Sequence, residues 1–270
     1  MHRYLLKLGP LTVYSYGAML ALAFIIGTIL AAFRAQRSGV EKNKIVDLIF
    51  YILVSSLLGA RIMFVALNWR YYAGHFPEIF QIWEGGLVFY GGLILAFIVS
   101  VWFIRKNRLS LGKVLDILAP SVALGIAIGR IGCFLNGCCW GKVSYKFGVF
   151  FPFKDNPPAY AEQVYEGLIP KDALCSLPVI PTQLYESLAC LVIFIFLLAL
   201  DRFKRFDGFL FWVFILFYST FRFFIEYLRY YEPNFFFGPF TASQIISVIL
   251  FFSAMIALIA GNKPRIRKVE

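Results

Sequence analysis

Charged residues are scarce in this chain. They make up only 15% of its 270 residues, whereas 60% are hydrophobic, and the mean hydropathy is +0.76. Soluble domains contain about 45–50% apolar residues, so the composition argues against a soluble globular protein. The few charges cluster between long apolar runs, which is the pattern of a chain that crosses a bilayer several times.

A continuous basic region is also lacking, although the net charge is +11. The Lys and Arg residues alternate with apolar runs, and we therefore expect no nucleic-acid partner. No small-residue cleavage site follows the first apolar run, which is too long for the core of a signal peptide, so we interpret it as a retained span. Five cysteines in a membrane protein do not indicate a disulfide framework. Adjacent Cys138 and Cys139 without His ligands are only a weak zinc signal, and we expect neither a metal site nor a cofactor.

Apolar segments of about 20 residues are long enough to span a membrane as helices. Those that qualify are 11–33, 45–67, 86–104, 114–135, 182–200, 208–228 and 240–260. We predict an all-α, polytopic membrane protein with about seven transmembrane helices in a single domain over residues 1–270. The longest connection, 136–181, is too polar to span, and loops of this length are often functional.

The orientation follows from the loops, because Lys and Arg are enriched on the cytoplasmic side. Most of these residues lie in the loops of one side, including Lys263, Arg265, Arg267 and Lys268 of the C-terminal tail. This distribution predicts an N-terminus outside the cell and a cytoplasmic C-terminus. The 136–181 loop then faces outward.

Polar residues recur in the outer halves of the predicted spans, most of them about 6 to 9 Å below the outer ends. They are Tyr16, Arg61, Tyr90, Arg130, Glu186, Arg222 and Glu226. Ionisable groups at such depth are costly and are candidates for function. A single arginine near a helix end can extend to the headgroups instead. For the set as a whole we favour a shared polar cavity toward the outer leaflet.

Three arginines against two glutamates predict that this cavity is positively charged. Such a cavity suits an anionic lipid headgroup, because Arg binds phosphate in a bidentate manner. Arg222 and Glu226 are four residues apart, so we expect them to share a helix face, and Arg229 continues that face at the water interface.

Glycines mark the same depth and have two explanations. Small residues allow helices to approach closely, and they also leave room for a substrate. We interpret Gly125 as a packing residue. For Gly91, Gly92, Gly137 and Gly141 we favour a role in the site.

Several stretches of the chain resemble motifs of the prolipoprotein diacylglyceryl transferase family. They are SYGAML (15–20), WEGGLVFYGGLI (83–94), GIAIGRIGCFLNGCCWG (125–141), PTQLYES (181–187), FRFFIEYLR (221–229) and TASQIIS (241–247). The resemblance implies transfer of the diacylglyceryl group of phosphatidylglycerol to the lipobox cysteine thiol of a secreted pre-lipoprotein, at the bacterial inner membrane. Its partners would be phosphatidylglycerol, the pre-lipoprotein signal peptide and the bilayer.

The resemblance also implies roles for individual residues. Arg130 and Arg222 would face the headgroup, and Glu226 would be an essential acid. Asp116 looks like a further motif position. The candidate catalytic residues are Arg130, Arg222, Glu226, Tyr90 and Cys138. The candidate substrate-binding residues are Tyr16, Arg61, Gly86, Gly91, Gly92, Asn136, Gly141, Glu186 and Arg229.

Three positions depart from the family pattern, because Tyr90, Cys133 and Cys138 replace a histidine, an asparagine and a glutamate. We expect Glu226 to be the first candidate for the base and Tyr90 the second. Cys138 could be inert, catalytic, redox-active or metal-binding, or it or Cys139 could pair with Cys175. The alternatives to the leading function are a lipid-dependent acyl or diacylglyceryl transferase with another acceptor, and a non-catalytic lipid-binding membrane protein.

Overall fold

The computed structural model describes residues 3–8, 11–81, 85–154, 156–230 and 236–262. The four basic residues named above for the C-terminal tail, and Trp83 and Glu84 of the glycine-rich motif, lie outside these ranges. In chain order the elements are β1 (Tyr4–Leu8), β2 (Leu11–Tyr14), α1 (Ser15–Arg37), α2 (Lys42–Leu67), α3 (Trp69–Tyr72), α4 (Phe89–Lys106), α5 (Leu111–Asn136), α6 (Pro158–Tyr165), α7 (Thr182–Leu200), α8 (Phe209–Ile225), β3 (Phe236–Phe237), β4 (Phe240–Thr241) and α9 (Ala242–Gly261). Short 3-10 turns at Asp201–Phe203 and Glu226–Leu228 extend α7 and α8.

Seven helices among the described residues are long and apolar enough to cross a membrane, namely α1, α2, α4, α5, α7, α8 and α9. This confirms the predicted all-α polytopic fold. Two further helices, α3 and α6, are too short to span.

The first predicted span, 11–33, begins too early. Residues Leu11–Tyr14 form a strand that pairs antiparallel with Tyr4–Leu8, with Tyr4 opposite Tyr14. The helix begins only at Ser15, which is fully buried and whose backbone N–H donates to the carbonyl of Arg3. Hydropathy alone missed this boundary, because a short apolar strand and the first turn of an apolar helix have the same composition.

The chain divides into two compact units, which are described separately. The larger unit comprises Met1–Ile29 and Leu115–Glu270, and the smaller unit comprises Leu30–Val114. In the larger unit, the core lies where α5, α7 and α8 meet. Its buried residues are Ala119, Ala123, Ile193, Leu197, Leu210, Val213 and Phe214. This core sets the positions of the three helices that carry Arg130, Glu186 and Arg222.

Asp116 caps the beginning of α8. Its carboxylate accepts hydrogen bonds from the backbone N–H groups of Gly208 (2.8 Å) and Phe211 (3.1 Å), and it pairs with Lys204 at 3.2 Å. The first N–H groups of a helix have no partner within the helix, and a negative charge is favourable there. Asp116 therefore has a structural explanation, which is to fix α8 against α5.

The loop of residues 137–181 is packed around a small core of its own. Phe151, Ala159 and Val179 are almost completely buried in it. Gln163 on α6 accepts a hydrogen bond from the backbone N–H of Leu177 at 2.7 Å, and this links the middle of the loop to its last part. The loop therefore has a defined shape that positions the residues at its beginning.

In the smaller unit, α2 and α4 approach each other through glycines. A Cβ at Gly91 would lie 2.3 Å from the carbonyl oxygen of Gly59 and from the Cβ of Met63, and a Cβ at Gly92 would lie 2.7 Å from the carbonyl oxygen of Ser56. Small residues at such a contact allow two membrane helices to pack backbone against backbone. This packing explains both glycines, and their predicted role in substrate binding stays a prediction.

Replacing Gly91 with alanine is expected to destabilise the protein by about 1–3 kcal/mol, because the added methyl group has no space between α2 and α4. The measurement is the melting temperature of the detergent-solubilised protein. A Cβ at Gly125 meets nothing within 4 Å, so the packing role expected for this glycine is wrong, and Gly125→Ala is the matched control. An unchanged melting temperature with lost activity would instead assign Gly91 to the substrate site.

Candidate active site

A buried network of ion pairs connects three helices of the larger unit. Glu186 of α7 lies at its centre, with one carboxylate oxygen 3.0 Å from Nη2 of Arg130 and the other 3.7 Å from Nη1 of Arg222. Tyr218 of α8 also donates a hydrogen bond to Glu186, at 3.0 Å. One carboxylate therefore orients both arginines.

Glu226 extends the network beyond the end of α8. It lies 3.3 Å from Nη1 of Arg222, as the spacing of four residues predicts, and it accepts a hydrogen bond from the Thr241 hydroxyl at 3.1 Å. Thr241 also forms a capping box with Gln244 at the beginning of α9. The start of α9 thus holds Glu226 against Arg222.

The arginines lie at the edge of this network and the carboxylates lie beneath them. The side chains of Arg130 and Arg222 are 20% and 14% exposed, whereas those of Glu186 and Glu226 are 3% and 0% exposed. The sequence predicted an excess of positive charge. Within this network, however, the formal charges of two arginines and two glutamates balance. A guanidinium has five N–H donors, so a carboxylate partner does not exhaust its capacity to bind an anion.

An apolar groove runs between α8 and α9 and has a volume of about 230 Å³. It is lined by Ser219, Thr220, Phe223, Phe224, Ser247, Val248, Phe251 and Phe252. The lining is suited to a hydrocarbon chain, because aromatic rings and aliphatic groups dominate it.

Three cysteines meet next to Arg130. The Sγ atoms of Cys133, Cys138 and Cys139 all lie within 4.8 Å of one another. Cys133 is in the last turn of α5, about one turn after Arg130, and the other two follow the end of that helix. All five cysteines are free in this structure, so Cys175 pairs with neither Cys138 nor Cys139.

The beginning of α7 fixes the backbone of this cysteine cluster. Thr182 donates a hydrogen bond to the carbonyl of Cys139 (2.9 Å), and Gln183 donates one to the carbonyl of Cys138 (2.6 Å). Cys139 has a left-handed backbone, with φ of 61°. This conformation is uncommon for a non-glycine residue, and the contacts from α7 stabilise it.

The Cys139 thiol is placed to ionise. Hydrogen bonds from the thiols of Cys133 and Cys138, together with the positive charges of Arg229 and Arg130, hold the pKa of Cys139 well below its usual range.

The remaining predicted residues of the larger unit surround the ends of these helices. Tyr16 packs on α5 beside Gly132, and the Asn136 side chain interacts with the Cys138 thiol. Gly141 forms a β-bridge with Arg229, and a Cβ at Gly141 would lie 2.5 Å from the carbonyl oxygen of Leu228. A Cβ at Gly137, which has φ of +76°, would lie 2.7 Å from Pro157. These two glycines are therefore explained by close backbone packing.

Arg61 of the smaller unit is engaged with backbone carbonyls. Its guanidinium donates to the carbonyls of Glu78 (2.6 Å), Ile79 (2.8 Å), Gly85 (2.8 Å) and Gly86 (3.2 Å). Four of its five N–H donors are thus used to hold the segment that precedes α4. This geometry assigns Arg61 a structural role in this structure, and its predicted contact with substrate stays a prediction.

Gly86 and Tyr90 flank the start of α4 in the same unit. Gly86 has φ of +70°, and a Cβ there would lie 2.5 Å from the Phe64 ring, so the position requires glycine. Tyr90 is 64% exposed.

Sequence reasoning missed four residues that support the site, namely Thr182, Gln183, Tyr218 and Thr241. Tyr218 precedes Arg222 by one helical turn, so the helical period could have placed it on the same face. Thr241 begins a T-x-x-Q pattern, which is the sequence signature of a capping box. Thr182 and Gln183 belong to the PTQLYES stretch, but no local pattern indicates their contacts, because their partners are carbonyls about 45 residues earlier in the chain.

Comparisons with known proteins agree with this arrangement of motifs. A family model described as prolipoprotein diacylglyceryl transferase matches residues 3–260. Three similar proteins are named phosphatidylglycerol–prolipoprotein diacylglyceryl transferase. The protein of Bacillus cereus is 36% identical over 97% of this chain and 93% of its own length. The protein of Geobacillus kaustophilus is 37% identical over 93% of this chain and 88% of its own length. The protein of Geobacter sulfurreducens is 30% identical over 96% of this chain and 95% of its own length.

Proposed function

We propose that this chain, which belongs to the prolipoprotein diacylglyceryl transferase family, uses Arg130 and Arg222 to hold the phosphate of phosphatidylglycerol while its diacylglyceryl group moves to a cysteine thiol of a pre-lipoprotein. The observation that carries this proposal is the contact of both guanidinium groups with one buried carboxylate, Glu186. Two arginines fixed in this way form a preorganised phosphate clamp, which needs little rearrangement as negative charge develops.

The proposed reaction is a displacement at a glyceryl carbon. The acceptor thiol loses its proton to Glu226, and the thiolate attacks the glyceryl carbon that carries the phosphate. A C–S bond forms, the C–O bond to phosphate breaks, and glycerol phosphate leaves with the bonding electrons. Arg130 and Arg222 stabilise the charge that gathers on the leaving phosphate.

The apolar groove between α8 and α9 supports the choice of a lipid as donor. Its wall includes Phe223 and Phe224, the two residues that follow Arg222 in α8. A lipid whose phosphate contacts the arginine could place an acyl chain in this groove. Burial of a hydrocarbon chain contributes about 0.8 kcal/mol per methylene group.

Other residues have supporting roles in this proposal. Tyr90 is the second candidate for the base, or it orients a phosphate oxygen. Cys138 does not carry the diacylglyceryl group covalently, because the resulting thioether would be a poor leaving group. The proposed substrate-binding residues are Tyr16, Arg61, Gly86, Gly91, Gly92, Asn136, Gly141, Glu186 and Arg229.

The chain is a multi-pass membrane protein. The proposal places it in the bacterial inner membrane with the N-terminus outside, the C-terminus cytoplasmic and the site toward the outer leaflet. The distribution of Lys and Arg in the loops supports this orientation. The acceptor would then be the signal peptide of a pre-lipoprotein after export of its lipobox, and no nucleic acid takes part.

The function is tested with purified protein in vesicles of phosphatidylglycerol and a synthetic lipobox peptide. Mass spectrometry is expected to show the addition of one diacylglyceryl group to the peptide cysteine. Two matched controls are a peptide with serine in place of that cysteine and vesicles of phosphatidylethanolamine, and neither is expected to give product. An unmodified cysteine peptide in phosphatidylglycerol vesicles would contradict the proposal.

A further inference from the structure

The cysteine cluster of Cys133, Cys138 and Cys139 has the dimensions of a thiolate metal site. Metal–sulfur bonds to zinc are about 2.3 Å long, so two sulfurs bound to one ion lie roughly 3.8 to 4.0 Å apart at tetrahedral or trigonal angles. The three Sγ atoms already lie within 4.8 Å of one another. Rotamer changes that move the Sγ atoms by less than an ångström would therefore bring all three within bonding distance of one ion.

The backbone that carries these sulfurs is held in place from outside the cluster. Cys133 belongs to α5, and α7 binds the carbonyls of the other two cysteines through Thr182 and Gln183. A site that is supported by hydrogen bonds from a neighbouring helix loses little conformational entropy when it binds an ion.

The charge around the cluster favours a thiolate complex rather than three neutral thiols. Three thiolates around a divalent ion carry one net negative charge. Arg130 precedes Cys133 by about one turn of α5, and Arg229 forms a β-bridge with Gly141, two residues after Cys139. Their positive charges stabilise the thiolates and the complex that these would form.

The donor set selects the type of ion. Thiolates prefer soft ions such as zinc or cuprous copper, whereas magnesium and calcium prefer oxygen ligands. In the part of the chain that the structure describes, no fourth His, Cys, Asp or Glu joins the group. Structural zinc sites have four protein ligands, whereas three protein ligands and an open position are typical of catalytic zinc.

We propose that Cys133, Cys138 and Cys139 bind a zinc ion whose open position takes the acceptor thiol as a thiolate. This inference rests on the proposed function, because the acceptor thiol is the nucleophile of that reaction. A free thiol is only a few per cent ionised at neutral pH, whereas a thiol bound to zinc is deprotonated. The metal would thus activate a nucleophile near the phosphate clamp, because Cys133 follows Arg130 by about one turn of α5.

The proposed step balances without a further reactant. The acceptor thiol binds zinc and gives its proton to Glu226, the base of the proposed mechanism. The sulfur electron pair then forms the C–S bond to the glyceryl carbon, and the C–O bond electrons leave with glycerol phosphate. The neutral thioether product binds zinc more weakly than a thiolate does, so it dissociates and reopens the position.

The first test measures metal binding without reference to activity. The purified, reduced and chelator-treated protein is titrated with Co²⁺, a spectroscopic substitute for Zn²⁺. We expect one equivalent to bind with the sulfur-to-cobalt charge-transfer absorption of a thiolate complex, and Zn²⁺ to displace it. The triple variant C133S/C138S/C139S is expected to lose this absorption. Cys175→Ser, a matched control in the same loop, is expected to keep it.

The second test measures transfer to the lipobox peptide in phosphatidylglycerol vesicles. Chelation is expected to lower the rate by roughly tenfold or more, as a free thiol is only a few per cent ionised, and Zn²⁺ but not Mg²⁺ is expected to restore it. Circular dichroism and gel filtration of the triple variant establish that it is folded.

The outcomes separate the two proposals. Absence of the charge-transfer absorption in reduced wild-type protein would overturn the metal site. Bound cobalt with a transfer rate that chelation leaves unchanged would overturn the activating role. Bound cobalt with no transfer in any metal form would overturn the transferase function and leave the metal site standing.

Discussion

Replacing Arg222 with alanine is expected to lower diacylglyceryl transfer by about 100-fold or more, since removal of a single preorganised donor from a charge-stabilising site costs about 10²–10³ in rate. Arg222 contacts both Glu186 and Glu226, so its guanidinium is held by carboxylates on two sides. Arg222→Lys keeps the charge but cannot form two parallel hydrogen bonds to phosphate. We expect it to recover only part of the activity. The measurement is the initial rate of peptide modification in phosphatidylglycerol vesicles.

Arg37→Ala provides the matched control for Arg222. Arg37 is exposed in the last turn of α1, where its guanidinium stacks on the Phe33 ring at 4.3 Å. Its removal is expected to leave the rate within a factor of two. Equal rates for the two alanine variants would remove Arg222 from the phosphate clamp.

Replacing Glu186 with glutamine is expected to reduce both stability and catalysis. The substitution preserves shape but leaves Arg130 and Arg222 without the charge that they share. Breaking a buried ion pair by removing one partner costs about 3–5 kcal/mol. Displacement of catalytic groups by about an ångström lowers rates by about 100-fold. We therefore expect a lower melting temperature and, in protein that is still folded, a kcat reduced by about 100-fold.

Glu41→Gln is the control for this effect, because it breaks an ion pair at the surface. Glu41 lies 3.3 Å from Lys44, and its side chain is 57% exposed. Exposed pairs of this kind contribute about 0–1 kcal/mol, so the melting temperature and kcat are expected to stay close to those of the unaltered protein. If Glu186→Gln behaved like Glu41→Gln, Glu186 would have no part in positioning the arginines.

The membrane spans could be predicted from sequence because a single physical quantity, the length of an apolar run, decides them. The boundary at Ser15 could not be predicted in this way. Residues 11–14 directly precede the apolar run of the first helix, and only pairing with Tyr4–Leu8 makes them a strand. Pairing depends on a partner that a hydropathy window does not consider.

The ion network was partly visible in the sequence. The spacing of Arg222 and Glu226 places them on one helix face, and their contact in the structure agrees with it. The pairing of Arg130 with Glu186 joins two helices separated by a long loop, and no local period connects them. The prediction of excess positive charge counts all arginines and glutamates at a similar depth in the membrane. It does not take into account which of these side chains form ion pairs.

The three-cysteine arrangement lay beyond sequence reasoning for a different reason. Cys138 and Cys139 are adjacent in the sequence, but the third sulfur comes from Cys133 on the preceding helix. The approach of the three sulfur atoms to one another depends on the left-handed conformation of Cys139 and on the hydrogen bond that Thr182 of α7 donates to it. The expectation of no metal site rests on Cys138 and Cys139 alone, and it stays a prediction that the cobalt titration tests.

The balanced charge of the network has a consequence for turnover. The proposed leaving group, glycerol phosphate, carries more negative charge than the phosphodiester from which it derives. Two arginines without counter-charges would retain such a dianion, and product release would then limit the rate. Glu186 and Glu226 already form ion pairs with these guanidinium groups, so the arginines bind the leaving anion less tightly. The carboxylates that orient the arginines would thus also speed the release of product, which is required before the next turnover.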